Sequence, residues 1–438
     1  MSAAPTRRGL LDGRDLVALA EHLARRGTEA IESLDGERLE TAFAGAIEAF
    51  RDPHSPERRR LDPDLARAAG LSQPCLDASL DALLDGFSAT EIAAVLGRGR
   101  ALRAGSPSRP PNDREDRHRS PRLPHLLVLA AHPPGLVLQP LLAGLAAAAA
   151  VLVKSSTREP FFAPAFAAAL AAREPALGEA IAAVVWRGGE AAIESNLQAV
   201  VDRVVGYGDR RTIDALRRHA GDKLVAFGPK ASVAIVDGDL SRTELESVAR
   251  ELARDVALFE QRGCLSLQAI YAGAAIAEPL ADALAAALAD TARRWPPPAL
   301  EPAEAATVRL AREETAFLGG RVAAIPIDCG TVLVDRRAVF VPSPGHRTVR
   351  VHAIPAATAA IDILRPFAGR LQGAALAGSG AAAAAAGLRR LGVSHLCAPG
   401  KLQSPGASWA NGGIDLVAAL SGAPACPASS PGSPSRPR

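Results

Sequence analysis

The chain has 438 residues, of which 48% are hydrophobic and 22% charged. That balance supports about two or three folded domains and excludes both a small stapled module and a disordered chain. Fifty basic residues against 47 acidic ones leave a formal charge of +3, too little over this length for a nucleic-acid or membrane-surface footprint.

Residues 1–97 carry helical periodicity, for example at Leu16, Leu19 and Leu23 and again at Leu80, Leu84 and Phe87, and predict a helical N-terminal region. Asp12 and Asp15 interrupt the first twenty residues before any apolar run forms, so they do not make a secretory signal. Residues 98–122 hold eight Arg and four Pro with hardly a large apolar side chain. They read as an exposed loop or linker; touching an anionic partner is the alternative, although Asp113, Glu115 and Asp116 are interleaved. Leu123–Val153 contains no charged side chain, yet His132-Pro133-Pro134-Gly135, Gln139 and Pro140 divide it into strand, turn, helix and strand, and no membrane span is expected.

From Leu126 onward short apolar runs alternate with helical segments. The predicted strands are Leu126–Ala131, Ala150–Val153, Ala182–Trp186, Val200–Gly206, Leu224–Phe227 and Ser232–Val236. A second series follows at Leu265–Tyr271, Thr331–Val334, Val349–Ile354, Leu371–Ala377 and Val393–Cys397. Continuous Val/Leu/Ile runs separated by helix-length segments indicate parallel sheets covered on both faces, so the expected fold class is α/β with two doubly wound units. The Pro/Ser-rich residues 422–438 are expected to form a disordered tail.

Chemistry-bearing residues are few. Five cysteines are scattered without Cys-x-x-Cys spacing, which speaks for a reducing cytoplasm and against a disulfide framework; no cluster has metal-ligand spacing. No Gly-x-Gly-x-x-Gly fingerprint occurs. The nearest match, Gly206-Tyr-Gly208 between a strand and a helix, is either a turn closing the strand or a close approach to a pyrophosphate at a helix N-terminus. The basic set is 46 Arg to four Lys, so Lys154, at the end of an apolar strand, stands out; a solvated strand end is the plainer reading. Cys264 falls on a bend between the helix Leu245–Leu258 and the strand Leu267–Tyr271. Ser241 and Glu244 form a capping box that fixes the start of that helix. An exposed thiol there is a candidate nucleophile, with a buried structural cysteine as the alternative.

Several motifs recur in a fixed order: Pro133-Pro134-Gly135; Ala150-Val-Leu-Val-Lys154-Ser-Ser; Val204-Val-Gly-Tyr-Gly208; Phe227-Gly-Pro-Lys230-Ala-Ser232; and Phe259-Glu-Gln261-Arg-Gly263-Cys264-Leu-Ser266. Their order and spacing resemble the aldehyde dehydrogenase superfamily. Gly-Pro-Lys230, the Glu-Gln-Arg-Gly-Cys264-Leu-Ser run and Leu402-Gln-Ser-Pro-Gly-Ala-Ser-Trp409-Ala-Asn-Gly412 are similar to the LuxC-like acyl-CoA reductases, over about residues 54–420.

The resemblance implies an aldehyde dehydrogenase-like fold with two Rossmann-like domains: the helical region 1–97, the Arg/Pro-rich segment 98–122, a cofactor-binding domain 123–236, a catalytic domain 237–405, a C-terminal return segment 406–421 and the tail 422–438. It makes Cys264 the nucleophile that takes an acyl group from acyl-CoA or another activated donor, with a reduced nicotinamide converting the acyl-enzyme to an aldehyde. Lys154 and Ser156, Gly206 and Gly208, and Gly228 and Lys230 become the cofactor-binding set. Ser155, Ser156 and Thr157 follow Lys154 where NAD-preferring members carry a Glu, which favours NADPH over NADH, since a carboxylate repels a 2′-phosphate. His132 stands where the family has its oxyanion-stabilising Asn, either as a substitute donor or as a turn histidine facing water. His346, Arg347 and Arg350 are candidates for the CoA phosphates, against scattered surface charge.

In hydrolytic members a Glu before the Gly-Gly-Lys segment activates water; alignment through Lys230 puts Ala226 and Phe227 there, and no carboxylate. The acyl-enzyme then persists until it is reduced. A soluble homo-oligomer, dimer or tetramer, is implied, with no nucleic-acid partner. Two other readings stay open: an aldehyde-dehydrogenase-fold scaffold or binding subunit with weakened catalysis, and a Cys264 acyltransferase that uses no hydride.

Overall fold

The computed structural model describes residues 13–105, 122–189, 197, 199–323 and 325–422. Apolar runs bounded by turns produce two sheets. In the first, β1 (His125–Val128), β2 (Val151–Ser155), β3 (Ile181–Val185), β4 (Val204–Tyr207) and β5 (Leu224–Phe227) are all parallel, in the order β3-β2-β1-β4-β5. The strand period of two sends alternate side chains into different cores. Leu127 of β1 joins Phe43, Phe50 and Phe166, whereas Leu126 and Val128 face the opposite way, toward Trp186 and Leu197.

The N-terminal helices therefore form one wall of the first unit. Phe43 and Phe50 of the helix Gly36–Arg51 meet Phe166 edge-on, with ring centroids 5.4 and 5.2 Å away. The helix Ala89–Gly105 continues past the expected boundary at residue 97. Its Arg, Leu and Ala residues favour helix, and Arg98 is paired with Asp415 at 3.0 Å, which corrects the start of the segment read as a loop. Residues 106–121 and 423–438, the rest of that segment and nearly all of the tail, lie outside the described residues.

The second sheet contains β6 (Ala231–Val236), β7 (Leu267–Gly273), β8 (Arg321–Val322), β9 (Thr331–Val334), β10 (Thr348–Ile354), β11 (Leu371–Ala377) and β12 (His395–Cys397), in the order β12-β11-β6-β7-β10-β9-β8. Only β8 is antiparallel. The strand at 232–236, grouped with the first series on sequence, pairs with β7 and β11 here. The chain crosses between sheets at Gly228-Pro229-Lys230, not after Val236. An apolar run carries no mark of which sheet it joins, so periodicity cannot reveal this crossing.

The capping box forms as predicted: Glu244 N–H donates to Ser241 Oγ (3.3 Å) and Ser241 N–H to Glu244 Oε2 (2.8 Å), starting the helix Arg242–Ala257. After β12 the chain returns to the first unit, where Ala407 N–H donates to Gly86 O at 2.8 Å.

Candidate active site

Cys264 lies in the turn Gly263–Ser266 that feeds β7. Ser266 N–H donates to Gly263 O (3.1 Å), Gly263 N–H to Ser266 Oγ (3.1 Å), and Ser232 Oγ to the Cys264 carbonyl (2.9 Å). The three residues Phe259, Glu260 and Gln261 precede this turn at φ 55, 51 and 59°, a left-handed conformation that costs a non-glycine residue roughly 1–3 kcal/mol.

Buried bonds hold that run in place. Phe259 N–H donates to Ser79 Oγ (3.0 Å). The Glu260 carboxylate accepts from Arg347 Nε at 3.0 Å. The Gln261 amide donates to the carbonyls of Leu267 (2.6 Å) and Thr348 (2.7 Å) and accepts from Thr348 N–H (3.0 Å). The turn that carries Cys264 is thus set by Ser79 from the N-terminal helices, by Arg347 just before β10 and by the backbone of Thr348 at its start.

The bend is where the sequence puts it, but the Cys264 thiol is half-buried at the floor of a cavity of about 70 Å³, not exposed. Burial pushes the thiol up to about 11, opposed by the N–H groups of Cys264 and Leu265 and by the Lys230 ammonium. The upper wall is apolar and includes Leu83 and Phe87 from the N-terminal region, Leu136, Pro405 and Trp409. Tyr207, Gln139, Gln403 and Asn411 supply the polar groups, and among the described residues no carboxylate lines the cavity. The cavity lies where the C-terminal ends of β1 and β4 meet the entry to β7.

The structure separates the residues proposed from sequence. Pro133 and Gly135 line the Cys264 cavity and His132 does not. Burial, with the Arg262 and Arg158 charges, depresses the His132 imidazole to about 4, which favours its neutral form. Phe227 is buried and stacks on Tyr207, with ring centroids 4.7 Å apart. The Lys230 side chain lies against Gly412 and within electrostatic reach of Cys264. Gly228 faces open space.

A second cavity, about 360 Å³, opens between the first sheet and the helix Arg210–Ala220. Lys154 sits over the Trp186 ring at 5.3 Å in its wall. Gly188, Gly189, Arg211 and His219 are also in the lining, and among the described residues no carboxylate is. Trp186, Arg211 and the glycine pair were not singled out from sequence; a Gly-Gly pair just after a buried strand was the available signal.

Ser156 lies outside that lining, and its Oγ accepts from Arg158 N–H (3.2 Å) within a turn. Gly206 and Gly208 do not line the cavity either. A Cβ on Gly206 would lie 2.5 Å from Leu216 Cδ1, and one on Gly208 2.7 Å from the Thr212 side chain. These glycines let the helix Arg210–Ala220 pack on β4, a requirement of helix–strand contact independent of any phosphate.

Arg347 and Arg350 are both buried, the first paired with Glu260 and the second with Asp335 at 3.2 Å. Their charges are satisfied inside the second unit and neither is available to CoA phosphates. His346 lies 3.7 Å from Glu304.

The model of the acyl-CoA reductase (LuxC) family matches residues 42–420. The chain belongs to the LuxC family of acyl-CoA reductases. Solved structures similar to this LuxC-family chain share its fold at low identity. An oxidoreductase from Marinobacter aquaeolei has 14% identity and a TM-score of 0.66, over 89% of this chain and 83% of that one. Aldehyde dehydrogenase 21 from Physcomitrella patens has 12% identity and a TM-score of 0.66 over the same shares, 89% and 83%. An NAD-dependent benzaldehyde dehydrogenase from Corynebacterium glutamicum has 14% identity and a TM-score of 0.62, over 89% and 85%. The fold is therefore that of the aldehyde dehydrogenases, as the motif order implied. No curated protein matches this LuxC-family sequence.

Membership of this family implies a nicotinamide cofactor, and the second cavity fits one. Trp186 offers a flat apolar face, Gly188 and Gly189 put no side chain into the lining, and Lys154 and Arg211 supply positive charge. Among the described residues no group of three or more His, Cys, Asp or Glu is placed to hold a metal ion, and no helix is long and apolar enough to cross a membrane.

Proposed function

We propose that the protein reduces fatty acyl-CoA thioesters to aldehydes with NADPH through a thioester on Cys264. The observation that carries this reading is a thiol at the floor of a mainly apolar cavity whose described lining lacks a carboxylate. An acyl chain packs against Leu83, Phe87, Leu136 and Trp409, each buried methylene contributing about 0.8 kcal/mol. A neighbouring cavity of about 300 Å³ shares Gln139 and Trp409 with it and is lined by Val95, Ala143 and Leu416 together with the Arg98–Asp415 ion pair, so a longer chain could extend along its apolar side.

In this reading Cys264 acts as thiolate. Its sulfur attacks the thioester carbonyl carbon, the carbonyl electrons move to oxygen, and their return expels CoA as its thiolate, which takes up a proton. The Lys230 cation favours the charged sulfur. The cofactor, when bound, supplies hydride to the carbonyl carbon of the acyl-enzyme. With no base beside the ester to activate water, hydrolysis does not compete. Lys154 and Arg211, in a lining with no described carboxylate, suit a 2′-phosphate and support NADPH over NADH.

The test is stepwise incubation with a radiolabelled long-chain acyl-CoA and then NADPH. Label on the protein after the first step and in free aldehyde after the second is the expected result. Label that stays on the protein or passes to another acceptor regardless of NADPH points to an acyltransferase. Absence of label on the protein points to a binding subunit.

A further inference from the structure

We propose that the Tyr207 phenol donates the hydrogen bond that stabilises the oxyanion formed when a thioester is attacked at Cys264. The proposal rests on the Cys264 reading and deepens it. Tyr207 ends β4 and lines the Cys264 cavity. Its side chain is 6% exposed, and its phenol oxygen is buried without a hydrogen-bond partner of normal geometry.

A buried hydroxyl left unsatisfied is costly, and native structures rarely keep one without a use. Asn411, the polar side chain beside it, accepts from Gln372 Nε2 through Oδ1 at 2.6 Å, which turns its NH2 group toward the phenol oxygen. The phenol O–H is therefore left as a donor without an acceptor among the described residues, on a ring that lines the cavity. Stacking on Phe227, with planes 12° apart, fixes the ring, so no reorganisation is required when charge develops.

Burial and the nearby Cys264 sulfur hold the phenol well above the usual tyrosine range, so it stays a neutral donor at any working pH. The N–H groups of Cys264 and Leu265 are directed at the sulfur itself and favour the attacking thiolate, which leaves the oxyanion to another donor. His132, which occupies the family's donor place in sequence, is not in the cavity wall.

In the step concerned, the sulfur–carbon bond forms as the carbonyl pair moves onto oxygen. The oxyanion accepts from Tyr207 O–H until the carbon–sulfur bond to CoA breaks. Tyr207 gives up no proton; it donates a hydrogen bond only.

The experiment uses the full chain without cofactor and compares two reactions of the same thiol. Acylation by a long-chain acyl-CoA passes through an oxyanion; alkylation by iodoacetamide displaces iodide at a saturated carbon and does not. Tyr207→Phe is expected to slow acylation roughly 10²–10³-fold, the usual loss for one oxyanion donor, and to leave alkylation at the wild-type rate. Equal acylation rates in Tyr207→Phe and wild type would overturn the proposal. So would acylation and alkylation falling together, which marks a structural effect on the thiol. A slow His132→Ala protein beside an unimpaired Tyr207→Phe returns the role to His132. A wild-type chain that accepts no acyl group sinks the Cys264 reading itself, an outcome distinct from the others.

Discussion

The Phe227 ring stacks on Tyr207 with centroids 4.7 Å and planes 12° apart, and Tyr207 lines the same cavity as Cys264. Alignment through Lys230 puts Ala226 and Phe227 where the resemblance to hydrolytic aldehyde dehydrogenases implies a water-activating Glu. A carboxylate at either neighbouring position gives the acyl-enzyme a route to free acid. Ala226→Glu or Phe227→Glu is predicted to raise the ratio of acid to aldehyde, read by product analysis alongside a thermal melt. Phe227→Glu also lowers the melting temperature, since it breaks the stack and buries a charge. An unchanged ratio in two well-folded variants removes the absent base as the reason for reduction.

Lys154 lies over Trp186 in the cavity that fits the cofactor. Lys154→Ala is predicted to raise the Michaelis constant for NADPH by about tenfold, the equivalent of about 1.4 kcal/mol, and that for NADH by less, because a 2′-phosphate contact is charge-assisted. Equal losses for the two cofactors assign the lysine to the shared ribose.

The thiol titration fixes a pH dependence. Burial holds Cys264 near 11, so in the enzyme without ligands the thiolate fraction, and with it the iodoacetamide rate, rises about tenfold per pH unit from 7 to 10. The Lys230 cation lowers the thiol pKa, so Lys230→Met moves the curve to higher pH and slows alkylation at pH 8. A plateau reached below pH 9 in wild type, or a Lys230→Met curve shifted to lower pH, contradicts this picture.

Much of the architecture was legible because strand runs such as Val151–Ser155 and Ile181–Val185 are apolar and bounded by turns, and because Ser241 and Glu244 cap a helix by a local rule. The sheet that receives β6 was not legible, since Val233 and Ile235 suit either core. Cys264 was found through its neighbours Gly263 and Ser266, whereas its state was not: burial comes from Phe87, Phe259 and Trp409, far apart in sequence. Arg347 looked like surface charge or a contact to CoA phosphate until tertiary packing placed it against Glu260 inside the fold. Tyr207 carried a signal, a tyrosine between two glycines at a strand end, but only packing shows that its hydroxyl is buried beside the cavity.

The Glu260–Arg347 pair clamps the left-handed run ahead of Cys264. Arg347→Met leaves the Glu260 carboxylate buried without its partner, a change that typically costs about 3–5 kcal/mol. The prediction is a correspondingly lower stability by denaturant titration. Glu260→Gln/Arg347→Met, which removes both charges, recovers part of that loss. A single variant as stable as wild type shows that the clamp contributes nothing.

The proposed reaction depends on Cys264 as the acyl carrier, and intact-protein mass measurement tests it most directly. Wild type mixed with a long-chain acyl-CoA should gain the mass of one acyl group and lose it when NADPH is added. Cys264→Ala should gain nothing, while Cys75→Ala and Cys397→Ala, whose thiols burial raises to about 12, should behave as wild type. A Cys264→Ala protein that still carries one acyl group contradicts the account.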